Sequence, residues 1–132
     1  MRYVIDSTIW IKLLRKERAV CERFERAAFE DDELVVTPVA YLEVLRGLYK
    51  RDDHESIAFI HELWNELRYE EADRRIWDEA VRLWVIAVRR NELREDADTI
   101  IAAFASVLNA RLVTANESHF SIFGIPTENW AA

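Results

Sequence analysis

Short apolar runs alternate along the chain with longer stretches in which hydrophobic residues recur every three to four positions. The apolar runs favour strands, and they cover residues 2–6, 33–37, 68–70 and 111–114, with a possible edge strand at 125–127. The longer stretches favour helices after residue 6 and over 19–30, 38–50, 55–67, 73–90 and 98–109. Short apolar strands separated by helices predict a three-layer α/β/α fold with a central, mostly parallel sheet of four to five strands.

Residues that favour helix starts and strand edges mark several boundaries. Ser7 or Thr8 is predicted to cap the first helix, because a hydroxyl can accept a hydrogen bond from the first helical turn. Thr37 followed by Pro38 predicts the start of a helix, with a capping residue and then proline at the first helical position. Pro126 lacks an amide hydrogen, so the last strand is predicted to lie at an edge of the sheet.

Four of the five tryptophans carry predictions about packing. Trp10 and Trp64 are predicted to lie in the hydrophobic core. Trp77 and Trp84 stand one heptad apart on the 73–90 helix, and we interpret their stripe as core or dimer interface rather than as a base-stacking platform. Trp84 in particular is placed with Ile76 among the buried residues of this helix.

Size and composition bound the possible functions. The chain has 132 residues, of which 51% are hydrophobic, and we expect a single domain over 1–132. Its one cysteine, Cys21, excludes an intrachain disulfide framework. The apolar start contains Asp6 and lacks a small-residue cleavage site, so we interpret it as a strand and a helix rather than a signal peptide. No membrane segment is predicted, and a cytoplasmic location is the simplest expectation.

The net charge of −7 argues against a large surface for general nucleic-acid binding. The charge is uneven, however. Residues 1–51 contain 10 Lys and Arg against 9 Asp and Glu, whereas residues 52–132 contain 8 against 16. A face that binds a polyanion would therefore use the first part of the chain.

Three carboxylates stand at the predicted carboxyl edge of the sheet. Asp6 ends an apolar strand, Glu43 lies on a mostly apolar helix that follows the second strand, and Asp98 opens an apolar helix. Singly, Asp6 and Asp98 are explained as helix caps and Glu43 as part of an exposed helix face. Gathered at one edge they would repel each other unless a cation lay among them, and oxygen ligands of this kind suit Mg²⁺ or Mn²⁺.

Four sequence blocks carry a resemblance to a known family. They are Val4-Ile5-Asp6-Ser7-Thr8, Glu43-Val44-Leu45-Arg46-Gly47, Asp98-Thr99-Ile100-Ile101-Ala102-Ala103, and Leu112-Val113-Thr114-Ala115-Asn116 with His119-Phe120. In this order and spacing they resemble the signature blocks of PIN-domain ribonucleases of the VapC toxin type. The ending Glu128-Asn129-Trp130 is also similar to the tail of such chains. The resemblance spans nearly the whole chain.

The resemblance implies an activity and a set of roles. It implies an endoribonuclease that uses Mg²⁺ or Mn²⁺ held by Asp6, Glu43 and Asp98, with RNA as substrate, a VapB-like antitoxin as partner, and a homodimer. Asn116 stands at a position that is acidic in many relatives, where its carbonyl oxygen would ligate the ion directly or through water. Ser7 or Thr8, and likewise Thr114, would orient Asp6 or contact the substrate phosphate, with helix capping as the equal alternative for Ser7 and Thr8. Arg46 would bind an RNA phosphate, with an exposed surface position as its equal alternative.

Several alternatives stay open at this point. Asn116 leaves room for a PIN fold that serves as a binding module rather than as an enzyme, and it leaves the number of metal ions undecided. His119 is explained equally well as a surface residue and as a catalytic one. A phospho-acceptor domain is disfavoured because no lysine follows a late strand, and a haloacid-dehalogenase-type phosphatase because Thr8 stands where a second Asp is required.

Overall fold

A five-stranded parallel sheet forms the centre of the computed structural model, which describes residues 1–132. The strands lie in the order β3-β2-β1-β4-β5, and every neighbouring pair is parallel. Their bounds are β1 Arg2–Ile5, β2 Glu33–Val36, β3 Arg68–Tyr69, β4 Arg111–Val113 and β5 Thr127–Glu128. The predicted strands are therefore confirmed, and Pro126 directly precedes an edge strand as expected.

Helices cover both faces of this sheet. They are α1 Ser7–Leu14, α2 Arg18–Phe29, α3 Pro38–Lys50, α4 His54–Asn65, α5 Arg74–Arg89 and α6 Asp96–Val107. Side chains alternate between the faces of β1: Tyr3 and Ile5 pack with α1 to α4, whereas Val4 packs with α5 and α6. This arrangement confirms the three-layer α/β/α prediction. None of the helices has the length and apolar character needed to cross a membrane.

Two of the four tryptophans with a predicted position are buried and two are exposed, which differs from the prediction for Trp84. Trp10 and Trp64 are buried as expected, and the Trp10 indole N–H donates to the carbonyl of Ile5 at 3.1 Å. Trp84, predicted to be buried, keeps 43% of its surface exposed, and Trp77 keeps 48%. The reason is that α5 has two adjacent apolar stripes, and packing against α6 and the rest of the core buries only one of them, namely Ile76, Ala80, Leu83 and Ala87.

Two helix starts also differ from the prediction. Asp6 occupies the N-cap position of α1, with Ser7 and Thr8 inside the first turn, so neither hydroxyl residue is the cap. Asp6 itself makes no side-chain capping bond. Asp98 lies within the first turn of α6, whose N-cap position is held by Glu95. Capping therefore explains neither aspartate, which removes the simplest structural reason for their presence.

Thr37 sets the start of α3, the helix that carries Glu43. Its side-chain oxygen accepts a hydrogen bond from the amide of Ala40 at 3.2 Å, and the residue is fully buried. Pro38 follows at the first helical position, where its missing amide hydrogen has no cost. The predicted cap is confirmed, and it fixes the angle at which α3 leaves the sheet.

Replacing Thr37 should test this cap. Thr37→Ala is expected to lower the free energy of unfolding by about 1–2 kcal/mol, since the amide of Ala40 loses its acceptor in a buried position. Thr37→Ser keeps the hydroxyl and is the matched control. Urea unfolding of both variants measures the difference, and equal losses in the two would show that the hydroxyl contributes nothing.

Candidate functional site

A polar cavity of about 350 Å³ opens at the carboxyl ends of β1 and β4. Ten residues line it: Asp6, Ser7, Thr8, Glu43, Leu93, Arg94, Glu95, Asp98, Asn116 and His119. The structure thus brings together the three carboxylates singled out from the sequence, although 37 and 55 positions separate them along the chain. Ligand sites of open parallel sheets lie at this edge, where helices begin.

Asp6 is the most firmly held of these carboxylates. Its backbone amide donates to the carbonyl of Val113 at 2.9 Å, which joins the ends of β1 and β4. Its Oδ2 atom accepts hydrogen bonds from the hydroxyls of Thr8 at 2.9 Å and Thr114 at 2.8 Å. Only 6% of the residue is exposed. Both of these bonds fall on Oδ2, so Oδ1 is the oxygen that remains for another ligand.

The same two hydroxyls organise the loop after β4. The amide of Ala115 donates to Thr8 Oγ1 at 3.1 Å, and the amide of Asn116 donates to Thr114 Oγ1 at 3.0 Å. A threonine hydroxyl has a single proton, and each of these protons is used on Asp6. Thr8 and Thr114 therefore have no donor left for a phosphate, and the geometry favours their alternative role of orienting Asp6 and the Asn116 backbone.

Glu43 and Asp98 lie half-buried on helices that face each other across the cavity. Burial is the main reason that the pKa of each carboxyl is raised above its ordinary value. The negative charge of Asp6 raises both values further, and the charge of Asp98 adds to the effect on Glu43. The nearby Ser7 hydroxyl and Arg46 act in the opposite direction on Glu43. Burial and neighbouring negative charge thus raise the proton affinity of Glu43 and of Asp98 in this cavity.

The donor chemistry of this cavity fits a hard divalent cation. As the side chains stand, no three His, Cys, Asp or Glu residues are grouped closely enough to chelate one ion by themselves. Mg²⁺ rarely requires this, because it keeps several waters and is bound by one or two carboxylates. Oδ1 of Asp6 and the carboxylate of Asp98 match that need, and neutralisation by a cation would remove the repulsion that raises the carboxyl pKa values.

Two residues considered from the sequence lie outside the cavity lining. Arg46 approaches Glu43 at 3.9 Å, but its side chain is 65% exposed and is not part of the cavity lining. Asp96 lies in the first turn of α6 and borders an apolar pocket with Trp77 and Trp84. This placement separates Asp96 from the candidate metal site, although only two positions separate it from Asp98 along the chain.

Sequence reasoning missed two charged residues of the cavity. Arg94 and Glu95 belong to the connection between α5 and α6, which has no periodicity that assigns its side chains to a face. Their one signal was closeness to Asp98 along the chain. His119 also lines the cavity, and its Nδ1 atom lies 3.6 Å from Oδ2 of Asp98. Through this contact His119 lowers the pKa of Asp98, against the larger effect of burial.

Comparison with solved structures shows the same fold in several toxin–antitoxin complexes. A chain in the structure of VapBC2 from Rickettsia felis bound to a promoter DNA fragment superposes with a TM-score of 0.89 at 20% identity, over 98% of this chain and 99% of that one. A chain of VapBC-1 from nontypeable Haemophilus influenzae superposes with a TM-score of 0.86 at 23% identity, over 100% of both chains. A chain of DNA-bound VapBC from Salmonella typhimurium superposes with a TM-score of 0.88 at 20% identity, over 98% of both chains.

Comparison with sequence families assigns the chain more directly. A search of curated proteins found no match. The family model of the PIN domain, in contrast, matches residues 3–124, a span that contains Asp6, Glu43, Asp98, Asn116 and His119. The resemblance read from the four sequence blocks is therefore confirmed, and this chain belongs to the PIN domain family.

Proposed function

We propose that this chain is the toxin of a VapBC-type pair, a divalent-metal-dependent endoribonuclease that acts in the cytoplasm. The observation that carries the proposal is the meeting of Asp6, Glu43 and Asp98 in one cavity of a PIN fold, with Asp6 held by two hydroxyls. Structural resemblance to VapBC complexes supports the toxin assignment. The products would be RNA fragments formed by hydrolysis of phosphodiester bonds.

The steps of this proposed hydrolysis are divided among a few polar side chains of the cavity. Asp6 and Asp98 bind the ion, and Asn116 adds its carbonyl oxygen directly or through water. The Mg²⁺ or Mn²⁺ that they hold supplies a water of lowered pKa and neutralises charge on the phosphate. Glu43, whose pKa is raised by burial, accepts the proton of the attacking water. Thr8 and Thr114 keep Asp6 oriented, and no side chain is needed as nucleophile.

Asn116 is the residue that distinguishes this proposal from a binding module without activity. An amide at this position brings one charge fewer than the carboxylate of many relatives, and so weakens the attraction for a second ion. Asp6, Glu43 and Asp98 nevertheless retain three negative charges around the cavity. This charge supports binding of at least one divalent ion, which is sufficient to activate water.

The partners of this toxin are part of the proposal. A VapB-like antitoxin is proposed as the neutralising partner, since each of the compared structures is a complex named VapBC. A homodimer is proposed from α5, where an exposed apolar stripe consists of Trp77, Val81, Trp84 and Val88. This stripe borders an open, mostly apolar pocket of about 300 Å³ between α5 and α6. Large exposed aromatic side chains in a continuous patch are typical of protein interfaces.

Asp98→Asn should abolish RNA cleavage while the fold is kept. We expect a loss of at least about a hundredfold, because the variant loses a direct ligand of the ion. Asp96→Asn is the matched control: it removes the same charge two positions earlier in the first turn of the same helix, outside the cavity. The assay is cleavage of total RNA in Mn²⁺, in Mg²⁺ and with chelator.

Three results would separate the candidate functions. Cleavage by the parent that stops with chelator and with Asp98→Asn supports the nuclease. A parent that neither binds Mn²⁺ nor cleaves RNA indicates a binding module. Equal cleavage by the parent and Asp98→Asn removes Asp98 from the mechanism.

The charge repulsion in the cavity predicts a stability effect with a defined sign. Burial, with the charge of Asp6 adding to it, holds the folded-state pKa of Asp98 above its unfolded value, so stability is lost as pH rises from the unfolded pKa through the folded one. In chelator at pH 7, Asp98→Asn should therefore raise Tm by roughly 2–4 °C. Below about pH 4, where the unfolded carboxyl is protonated too, the gain should vanish.

Added metal should make the parent more stable than Asp98→Asn, which is the reverse of the order expected in chelator. Mn²⁺ at pH 7 should raise the Tm of the parent more than that of Asp98→Asn, because only the parent keeps the full set of ligands. Scanning calorimetry with and without metal gives all four values. A parent that is already more stable than Asp98→Asn in chelator would contradict the repulsion argument.

The proposed dimer is tested by placing a charge in the exposed stripe. Trp84→Glu should convert the dimer to a monomer, since an unpaired carboxylate would be buried at the interface. Phe29→Glu removes an apolar side chain that is more exposed and lies on α2, and it should leave the dimer intact. Sedimentation velocity measures both. A monomeric parent, or a Trp84→Glu variant that stays dimeric, would exclude this surface.

A further inference from the structure

Arg94 is the only lysine or arginine that lines the polar cavity. Four carboxylates share the lining with it, those of Asp6, Glu43, Glu95 and Asp98. An RNA phosphate that enters such a volume meets strong repulsion unless cations lie near its path. A bound divalent ion offsets part of this charge, and the guanidinium of Arg94 is the one permanent positive charge that the chain itself places there.

The guanidinium of Arg94 is held by hydrogen bonds at two of its three nitrogens. Its Nε atom donates to the carbonyl of His119 at 2.9 Å, and its NH1 group donates to the carbonyls of Glu92 at 3.3 Å and Leu93 at 3.5 Å. These bonds tie the α5–α6 connection to the turn after β4. An arginine held in this way has already lost the side-chain freedom that a free surface arginine would lose on binding a ligand.

The third guanidinium nitrogen, NH2, remains available for a ligand. NH2 donates no hydrogen bond, and its one charged neighbour is the exposed carboxylate of Glu92 at 3.6 Å. The Arg94 side chain is 26% exposed, and the residue lines the cavity. Two N–H groups on a planar cation suit phosphate oxygens better than the point charge of a lysine.

We propose that Arg94 binds a backbone phosphate of the RNA substrate through its NH2 group, a specific contact that rests on the nuclease function proposed above. Arg46, the cation that the sequence indicated for this role, lies outside the cavity lining and next to Glu43. Arg94 is thus a substrate-binding residue, and its bonds to the His119 turn keep the guanidinium in place for that contact.

A purely structural role for Arg94 gives different measurements. If the side chain only braces the turn at His119, its removal changes kcat or stability but leaves the salt dependence of RNA binding unaltered. A phosphate contact, in contrast, raises KM and makes binding less sensitive to salt, because one fewer counterion is released. The salt slope therefore separates the two roles.

The test compares Arg94→Ala, Arg94→Lys and Arg90→Ala with the parent. Arg90 is exposed at the start of the same connection and outside the cavity, so Arg90→Ala removes an equal charge without the contact. Cleavage of a short single-stranded RNA in Mn²⁺ gives kcat and KM, with KCl varied from about 50 to 200 mM. Fluorescence anisotropy of the same RNA gives binding, and the Mn²⁺-induced rise in Tm shows that the metal site is intact.

For Arg94→Ala we expect kcat/KM to fall about tenfold or more, mainly through KM. The slope of log affinity against log salt should become shallower by about 0.7. Arg94→Lys should restore the slope but only part of kcat/KM, and Arg90→Ala should stay within about twofold of the parent.

Distinct results overturn the inference and the nuclease proposal. An active parent whose salt slope is unchanged by Arg94→Ala, or whose kcat/KM falls no further than in Arg90→Ala, overturns the phosphate contact alone. A parent that binds RNA without cleaving it defeats the nuclease proposal, and the anisotropy slopes then decide on Arg94. A parent that neither binds nor cleaves RNA overturns both.

Discussion

Burial of the Asp6 carboxylate at the end of a central strand is the constraint on which the site depends. A carboxylate in this position is costly unless its oxygens are bonded. Thr8 from α1 and Thr114 from the end of β4 meet that requirement at one oxygen, and their own oxygens accept amides of the following loop. A single charge thereby couples the ends of two strands to the start of a helix, and it leaves one carboxylate oxygen for a ligand.

Repulsion among the other carboxylates follows from the same placement. Glu43 and Asp98 reach the cavity on helices of opposite sheet faces, and burial beside Asp6 raises the pKa of both. A protein that gathers like charges in this way gives up stability, which is the usual relation between a functional site and its scaffold. The cost is understandable only if a cation completes the site, and this is why the cluster, rather than any one residue, supports the nuclease proposal.

Two side chains that can carry positive charge, Arg94 and His119, line the cavity, and both lower the pKa of Asp98. Arg94 and His119 approach from the side of α6, and they are joined by the bond from Arg94 Nε to the His119 carbonyl. Arg46 stays at the exposed side of Glu43. The overall charge of −7 is compatible with the proposed RNA substrate, because Arg94 and the proposed divalent ion would act locally.

The sequence by itself determined the fold class, the succession of strands and helices along the chain, and which three carboxylates would meet at one edge of the sheet. Apolar periodicity and the position of a residue at a strand end are local properties, and this is why the sequence was sufficient. Thr37-Pro38 is an example: the cap needs only neighbouring residues, and it forms as predicted. Trp84 and Arg94 show what only the tertiary structure decided. Both stripes of α5 are apolar, so which of them is buried depends on how α5 packs against α6. Arg94 lines the cavity with its Nε atom bonded to the carbonyl of His119, which is distant in the chain. Contacts between distant segments are set by packing, and no local pattern records them.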